Sequence, residues 1–96
     1  MARPQPEPLS VREAADLFSL LGDPTRLRLL LFLADRGEAF VGALTEVAGL
    51  AVATVSKHLL WLRLAGVVTC RREGKRVYYR LSSPFAAALL RRVRRG

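Results

Sequence analysis

The hydrophobic pattern opens with an amphipathic helix that begins after Ser10. Apolar side chains recur at three- and four-residue spacing from Val11 to Leu21, as they do on one face of an α-helix. Ser10 followed three residues later by Glu13 is a capping box, in which each side chain accepts a hydrogen bond from the other residue's backbone N–H. The pattern therefore predicts a first helix over this range, which Gly22 ends.

A second helix is predicted directly after that glycine. Asp23 is a helix-capping residue, and Pro24 suits the first helical position, where its missing N–H costs nothing. The positions predicted to face inward are Leu27, Leu30, Leu31 and Ala34, and those that widen the apolar surface beyond one stripe are Leu29, Phe32 and Leu33. We therefore predict a central helix from Pro24 to about Asp35, buried on most sides and closed by Gly37.

Two further helices are predicted around a tight turn. The short apolar segment Phe40–Ala48 has helical spacing, and Gly49 follows it. The helical pattern resumes over Val52–Ala65, and Gly66 ends it. The residues of this fourth helix that are predicted to pack inward are Val55, Leu59 and Leu62, with Leu60 as a further candidate. Two short helices joined by a turn that contains glycine are typical of a helix-turn-helix.

The period of the pattern then changes from helical to alternating. Residues Val67–Arg72 and Arg76–Leu81 predict two strands around a turn at Gly74. On the second strand an apolar face alternates with a basic one, the former made by Val77, Tyr79 and Leu81 and the latter by Arg76, Tyr78 and Arg80. Ser83 then predicts the start of a last helix, which spans residues 85–95.

The length of 96 residues allows one domain with one modest core. Prolines at positions 4, 6 and 8 predict a flexible proline-rich arm over residues 1–9, which leaves residues 10–96 for the folded domain. No apolar run approaches the roughly 20 residues that a membrane span needs, and the N-terminus lacks the apolar segment of a signal peptide. A lone Cys70 cannot form an internal disulfide, so we expect a cytoplasmic protein with no membrane partner.

Positive charge is concentrated in the second half of the chain. Sixteen Lys and Arg against eight Asp and Glu give a formal net charge of +8. Residues 49–96 hold eleven of those cations and a single acidic residue, Glu73. Fourteen of the cations are arginine, whose planar guanidinium matches phosphate oxygens and guanine edges. The sequence therefore predicts a polyanionic partner, and duplex DNA is favoured over a membrane surface or an acidic protein.

A helix-turn-helix followed by a basic hairpin has the order of a winged helix, in which the second helix of the motif enters the major groove. Three stretches resemble the signatures of the ArsR/SmtB family: GDPTRLRLL at 22–30, TVSKHL at 54–59 and RREGKRVYYRL at 71–81. This resemblance implies a homodimeric winged-helix repressor that a metal or an oxidant releases from double-stranded operator DNA. We expect a mainly α fold with a small β-hairpin, in the order α-α-α-α-β-β-α.

The same resemblance implies that the first and last helices form the dimer interface. The residues expected there are Leu17, Phe18, Leu21, Phe85, Leu89 and Leu90. A short last helix that carries three large apolar side chains also needs a surface to cover them, which agrees with an interface between two copies.

Eight residues are candidates for DNA contact. On the outward part of the fourth helix they are Thr54, Ser56, Lys57 and His58, and around the hairpin turn they are Arg71, Arg72, Lys75 and Arg76. Two alternatives stay open: His58 caps the helix or faces solvent, and Ser56 bonds the backbone of its own helix. Ala51 and Val52 stand where the family usually has a capping residue and, soon after, a glutamine, so we expect phosphate contacts to supply a larger share of the affinity.

The metal sites of the family are not matched in this sequence. Phe40 and Gly42 stand at the places of its cysteine pair, and Ser83 and Phe85 at the first two places of its interfacial site. The remaining candidates for an unusual site are Glu13, Asp16, His58 and Cys70, a set that would suit nickel or zinc as a weak effector. No cofactor is required. Cys70 is either an oxidant-sensitive thiol beside arginines or a small strand residue.

Catalysis is not expected, because a nucleophile and its base would have to use His58, the single histidine, on the face predicted to contact DNA. The alternative to a self-sufficient regulator is a winged-helix interaction module. Such a module would supply DNA binding to a complex whose sensing resides in a co-regulator protein. A stable homodimer that binds its operator alone favours the regulator, and weak binding rescued by a partner favours the module.

Overall fold

In the computed structural model, which describes residues 8–93, the chain folds into helices packed on a small sheet. The helices are α1 (Val11–Leu21), α2 (Pro24–Arg36), α3 (Val41–Ala48), α4 (Val52–Leu64) and α5 (Pro84–Leu90), and the strands are β1 (Ala39–Phe40), β2 (Val68–Glu73) and β3 (Arg76–Leu81). The five predicted helices and both hairpin strands are confirmed. Residues 1–7 of the predicted N-terminal arm lie outside the described residues, and so do residues 94–96, which include the end of the last predicted helix.

Side-chain caps start the first two helices, as predicted. The Ser10 hydroxyl accepts a hydrogen bond from the Glu13 backbone N–H at 3.1 Å, and the Glu13 carboxylate accepts one from the Ser10 N–H at 3.0 Å. The Asp23 carboxylate accepts a hydrogen bond from the Arg26 backbone N–H at 3.0 Å, with Pro24 in the first turn. These backbone N–H groups hold the pKa of both carboxyls below the usual range.

Helix α2 lies at the centre of the domain, in contact with α1, α3, α5 and β3. Leu29, Leu30 and Leu33 are buried, whereas Ala34 is exposed. The prediction that Ala34 faces inward is therefore wrong. The five consecutive apolar residues 29–33 leave no polar side from which the rotation of the helix could be predicted. The predicted buried stripe is therefore shifted by one position from the observed one.

The elements around α2 supply the rest of the core. The buried apolar side chains that they contribute are Leu21, Ala39, Leu44, Val55, Leu59, Leu62, Val67, Val68, Ala86 and Leu90. Val55, Leu59 and Leu62 of α4 are among them, as predicted, whereas Leu60, the further inward candidate, is 40% exposed. The core therefore fixes the rotation of α4, the helix that carries four of the candidate DNA contacts.

One strand was not predicted. The two residues of β1 pair antiparallel with β3, Ala39 opposite Tyr79 and Phe40 opposite Tyr78, which gives a sheet in the order β1-β3-β2. The element order is thus α-α-β-α-α-β-β-α, and the α-α-α-α-β-β-α prediction lacked β1. Two residues are too few to show alternation, and Phe40, expected as the first residue of α3, instead precedes that helix.

Helices α3 and α4 form the predicted helix-turn-helix. Gly49, which ends α3, has φ 65°, a left-handed conformation that favours glycine at such a turn. No single helix within residues 8–93 is long and apolar enough to cross a membrane. Helices α3 and α4 taken together have the length and composition of a membrane-spanning segment, but the chain bends by 109° at the break between them.

The β2–β3 hairpin runs in register from Val68 opposite Leu81 to Glu73 opposite Arg76. Gly74 at its turn has φ 62°, a conformation that L side chains rarely adopt. One face of the hairpin packs Val68, Tyr79 and Leu81 against the core, and the other carries Arg71, Tyr78 and Arg80. The predicted apolar and basic faces are therefore confirmed.

Helix α5 is shorter than predicted. The Ser83 hydroxyl caps it by accepting a hydrogen bond from the Ala86 backbone N–H at 3.1 Å. It ends at Leu90, the last side chain buried in the core, and not near residue 95. Arg91 and Arg92 are exposed neighbours of like charge, which give the helix no packing energy to continue.

The variant Leu59→Ala is expected to lower the free energy of unfolding by about 3 kcal/mol, since it leaves a cavity under α4. Leu64→Ala on the same helix is the control, because that side chain is 74% exposed and its removal should change stability by less than about 0.5 kcal/mol. Urea unfolding followed by circular dichroism measures both values. Equal losses for the two variants would contradict the orientation of α4 in this structure.

Candidate nucleic-acid interface

Helix α4 presents a polar face to solvent along its first two turns. Thr54, Ser56 and Lys57 are exposed there, and the fully buried Val55 between them fixes the direction in which they project. None of these three side chains forms a hydrogen bond or an ion pair with another residue between 8 and 93. The alternative for Ser56, a bond to its own helix backbone, therefore does not occur. By contrast, the Thr45 hydroxyl in α3 donates to the Val41 carbonyl at 2.8 Å.

His58 differs from its three neighbours on this face. It is half-buried, and its Nδ1 lies 3.2 Å from Nη1 of Arg26 in α2. Its ring meets the Trp61 ring edge-on, with centroids 5.7 Å apart. The alternatives of a capping or solvent-facing histidine are not what the structure shows, because one ring nitrogen is held within the domain.

The turn of the hairpin carries exposed cations. Arg72 and Lys75 are exposed and form no ion pair with any residue of the described part of the chain. Arg76 is exposed as well, and its guanidinium lies 4.3 Å from the centre of the Phe40 ring. That contact holds the Arg76 guanidinium beside β1, and none of its N–H groups is used by an acidic residue of the described part of the chain. All three predicted positions thus place a cation at or beside the hairpin turn.

Arg71 departs from the prediction of a phosphate contact. Its Nε and Nη2 donate to the two carboxylate oxygens of Glu38 at 2.9 and 2.7 Å, and its Nη1 donates to Glu73. The guanidinium also lies 4.7 Å from the centre of the Tyr78 ring. Three of its donors are therefore occupied within the chain. This ion pair could not be predicted from the sequence, because Glu38 is 33 residues away and is brought to Arg71 by the pairing of β1 with β3.

The variant Glu38→Gln is expected to tighten binding to duplex DNA several-fold, about as much as one added phosphate contact, because it loosens the hold on Arg71. Arg71 holds the pKa of Glu38 below its usual range by hydrogen bonding, so the pair is intact at neutral pH and is lost only as the pH falls through that lowered pKa. Fluorescence-anisotropy titrations measure the gain in affinity. Glu46→Gln, on an exposed position of α3, removes the same charge, and an equal gain there would show a general charge effect.

Helices α1 and α5 expose part of the predicted dimer face. Phe18 is 59% exposed and Leu89 is 40% exposed, while Leu17 and Phe85 are half-buried. Two of the predicted interface residues, Leu21 and Leu90, belong to the core of the single chain. Their side chains already pack within it, at 9% and 1% exposure, and leave almost no surface for a second copy.

The metal candidates are dispersed over different elements. Glu13 serves the α1 cap and Asp16 pairs with Arg12 at 3.6 Å, whereas His58 is on α4 and Cys70 on β2. Among residues 8–93 no three His, Cys, Asp or Glu side chains come together in a way that could hold a metal ion. The cationic neighbour of the Cys70 sulfur is Arg63, whose Nη1 lies 3.6 Å away, since strand alternation turns Arg71 to the opposite face.

This geometry defines a winged-helix protein. Helices α3 and α4 form the helix-turn-helix, and the β2–β3 hairpin is the wing beside it. Residues 23–69 match the family model described as bacterial regulatory protein, arsR family. The chain belongs to the ArsR family. This is a family of bacterial regulatory proteins, and relatives of this chain are named as transcriptional regulators and repressors.

Known members cover most of the chain. The HTH-type transcriptional regulator KmtR of Mycobacterium tuberculosis is 39% identical over 88 residues, which cover 88% of this chain and 67% of that protein. The structure of HlyU from Vibrio cholerae superposes with a TM-score of 0.79 at 35% identity, over 83% of this chain and 86% of that one. The homodimeric winged helix-turn-helix DNA-binding domain of Mb0332 from Mycobacterium bovis gives a TM-score of 0.76 at 34% identity, over 84% of this chain and 74% of that one.

The chain is shorter than several of its relatives. It spans between about half and two thirds of the length of four curated relatives that it matches, and three of these are named as arsenic or mercury resistance regulators.

Proposed function

We propose that this chain is a sequence-specific DNA-binding transcriptional regulator, a repressor that acts as a homodimer on an inverted-repeat operator. The observation that carries the proposal is a pair of adjacent surfaces. Thr54, Ser56 and Lys57 project from α4 with their hydrogen-bonding groups unused within residues 8–93, and Arg72 and Lys75 stand on the wing without an acidic partner there.

Each surface has the chemistry for a different part of the duplex. The hydroxyls of α4 both donate and accept, so they match base edges in the major groove, and Lys57 suits a guanine edge or a phosphate. Val52, 57% exposed at the start of α4, offers apolar contact to a thymine methyl group. The wing cations suit phosphates, which position the protein without reading sequence.

The dimer follows from the apolar surface on α1 and α5. Phe18 and Leu89 are large and exposed, and an interface between two copies would cover them. A two-fold dimer presents two copies of α4 to successive major grooves, roughly 34 Å apart. The homodimeric state of the Mycobacterium bovis domain supports this arrangement.

Selection from a pool of random duplexes tests the proposed function and identifies the operator. We expect the enriched sequences to share an inverted repeat whose half-site centres lie about 10 base pairs apart. A pool without any enriched motif would contradict sequence-specific binding, and a single unrepeated motif would contradict the dimer.

The effector and the compartment are further parts of the proposal. We place the protein in the cytoplasm because its operator would lie there.

The relatives named for arsenic and mercury resistance support a metal response, whereas residues 8–93 of one chain bring no three metal ligands together. A weak nickel or zinc effector and a co-regulator protein therefore stay predictions. Operator affinity measured with and without Ni²⁺ or Zn²⁺ tests the first of these.

A further inference from the structure

Arg26 connects three helices through one side chain. It lies in the first turn of α2, where its Nε donates to the Leu20 carbonyl of α1 at 2.7 Å. Its Nη1 lies 3.2 Å from Nδ1 of His58 on α4, and its guanidinium is 5.7 Å from the centre of the Trp61 ring on the same helix. The Arg26 side chain thus bridges α1, a helix proposed to form the dimer, and α4, the helix proposed to read DNA.

This contact determines where the proton of His58 resides. A guanidinium has only donors, so the 3.2 Å contact requires Nδ1 of His58 to accept. A neutral imidazole that accepts at Nδ1 carries its proton on Nε2. The edge-on contact with Trp61 fixes the plane of the ring. What is left for a ligand is therefore one oriented N–H donor at Nε2, which has no partner among residues 8–93.

An acidic residue lies beside the guanidinium of this cluster. Asp23 caps α2 with its carboxylate, and the hydrogen bond from the Arg26 backbone N–H, followed by attraction to the Arg26 guanidinium, lowers the pKa of that carboxyl. This carboxylate offsets the positive charge of Arg26 beside the ring. Arg26 is thereby held by the ends of two helices, α1 through Leu20 and α2 through its cap.

We propose that Arg26 is a positioning residue for DNA recognition, which holds His58 in the Nε2–H form so that this N–H donates to an acceptor on a base edge of the operator. The inference rests on the proposed function. Lys57, one position earlier on α4, is exposed and free to supply a phosphate contact, whereas a single N–H donor at Nε2 of His58 matches the chemistry of a base acceptor such as guanine N7 or O6.

The first test reads the tautomer without DNA. Because His58 is the single histidine, nitrogen NMR of the labelled protein above neutral pH reports its two ring nitrogens without ambiguity. We expect the proton on Nε2 in the wild-type protein and a mixed population in Arg26→Met, which removes every donor but keeps an unbranched side chain. Arg28→Met, at an exposed position of the same helix, removes the same charge and should leave the tautomer unchanged. A proton on Nδ1 in the wild-type protein would overturn the inference.

The second test compares affinity for the selected operator with affinity for a scrambled duplex. Arg26→Met is expected to lower the operator-to-scramble ratio about tenfold, because a dimer loses one hydrogen bond to a base in each subunit, while Arg28→Met leaves that ratio unchanged. His58→Asn covers the case in which Arg26→Met fails to fold, since its side-chain oxygen still accepts from Arg26 while the Nε2–H is lost. It should give the same loss, and the double variant should lose no more than either single one.

The outcomes separate this role from the proposed function. A wild-type protein without operator preference overturns the proposed function and the role of Arg26 with it. An operator preference that survives in both Arg26→Met and His58→Asn overturns the role alone. Equal losses on operator and scramble would show that His58 donates to a phosphate, which contradicts base recognition.

Discussion

Replacement of Arg72 and Lys75 by alanine is expected to weaken binding to all duplex DNA by on the order of a hundredfold at moderate salt. Both side chains stand on the wing without an acidic partner in residues 8–93, so their full charge is available to phosphates. A dimer would lose four such contacts. The slope of log affinity against log salt should therefore fall by about 3.6, at roughly 0.9 for each contact.

The matched control is Arg91→Ala with Arg92→Ala, which removes the same charge from the exposed end of α5. We expect this pair to lower affinity far less, because these residues lie beyond the helix and not on the wing. Anisotropy titrations at several salt concentrations give affinity and slope together. An equal change in both double variants would show that net charge, and not the wing, determines binding.

The variant Phe18→Glu is expected to convert the dimer into a monomer. It should also abolish operator binding at protein concentrations at which the wild-type protein saturates the operator. The side chain is 59% exposed in the single chain, so glutamate there leaves the fold of the subunit intact. In a dimer the same carboxylate would be buried without a partner, at a cost of several kcal/mol. Sedimentation equilibrium should show the mass fall from twice the chain mass to 10.6 kDa.

Val52→Glu is the control for this experiment, because Val52 has a nearly equal exposure of 57% but lies at the start of α4. It should keep the dimer and still weaken DNA binding, since it places a carboxylate against the duplex. A dimer that survives Phe18→Glu would contradict the interface on α1 and α5. A dimer that is lost in both variants would show that any acidic substitution disrupts the protein.

The elements that the sequence predicted correctly are those with a local physical cause. The capping box of α1, the Asp23 cap of α2 and the glycine turn of the hairpin each involve residues a few positions apart, so the pattern alone determines them. The inward face of α4 followed from a clear helical period. The rotation of α2 did not, because a helix that is apolar on nearly all sides has no polar face to orient it.

The features that the sequence did not predict depend on contacts between distant residues. Strand β1 exists only through its pairing with β3, and it brings Glu38 to Arg71. The contact of Arg26 with His58 joins residues 32 positions apart. Leu21 and Leu90 look like interface residues by position on their helices, but the packing of α1 and α5 against α2 buries them within the chain. The partners of Arg26, His58 and Arg71 could therefore be identified only from the tertiary structure. The exposure of Thr54, Ser56 and Lys57 could be predicted from the helical period of α4.

The measurement that tests sequence-specific DNA binding most directly is an anisotropy titration of the wild-type protein onto the selected operator and onto a scrambled duplex, over several salt concentrations. We expect the operator to bind at least about 10³-fold more tightly, with a steep salt dependence on both duplexes from the wing cations. Equal affinity for the two duplexes at every salt concentration would contradict sequence-specific binding, because only phosphate contacts would then be at work.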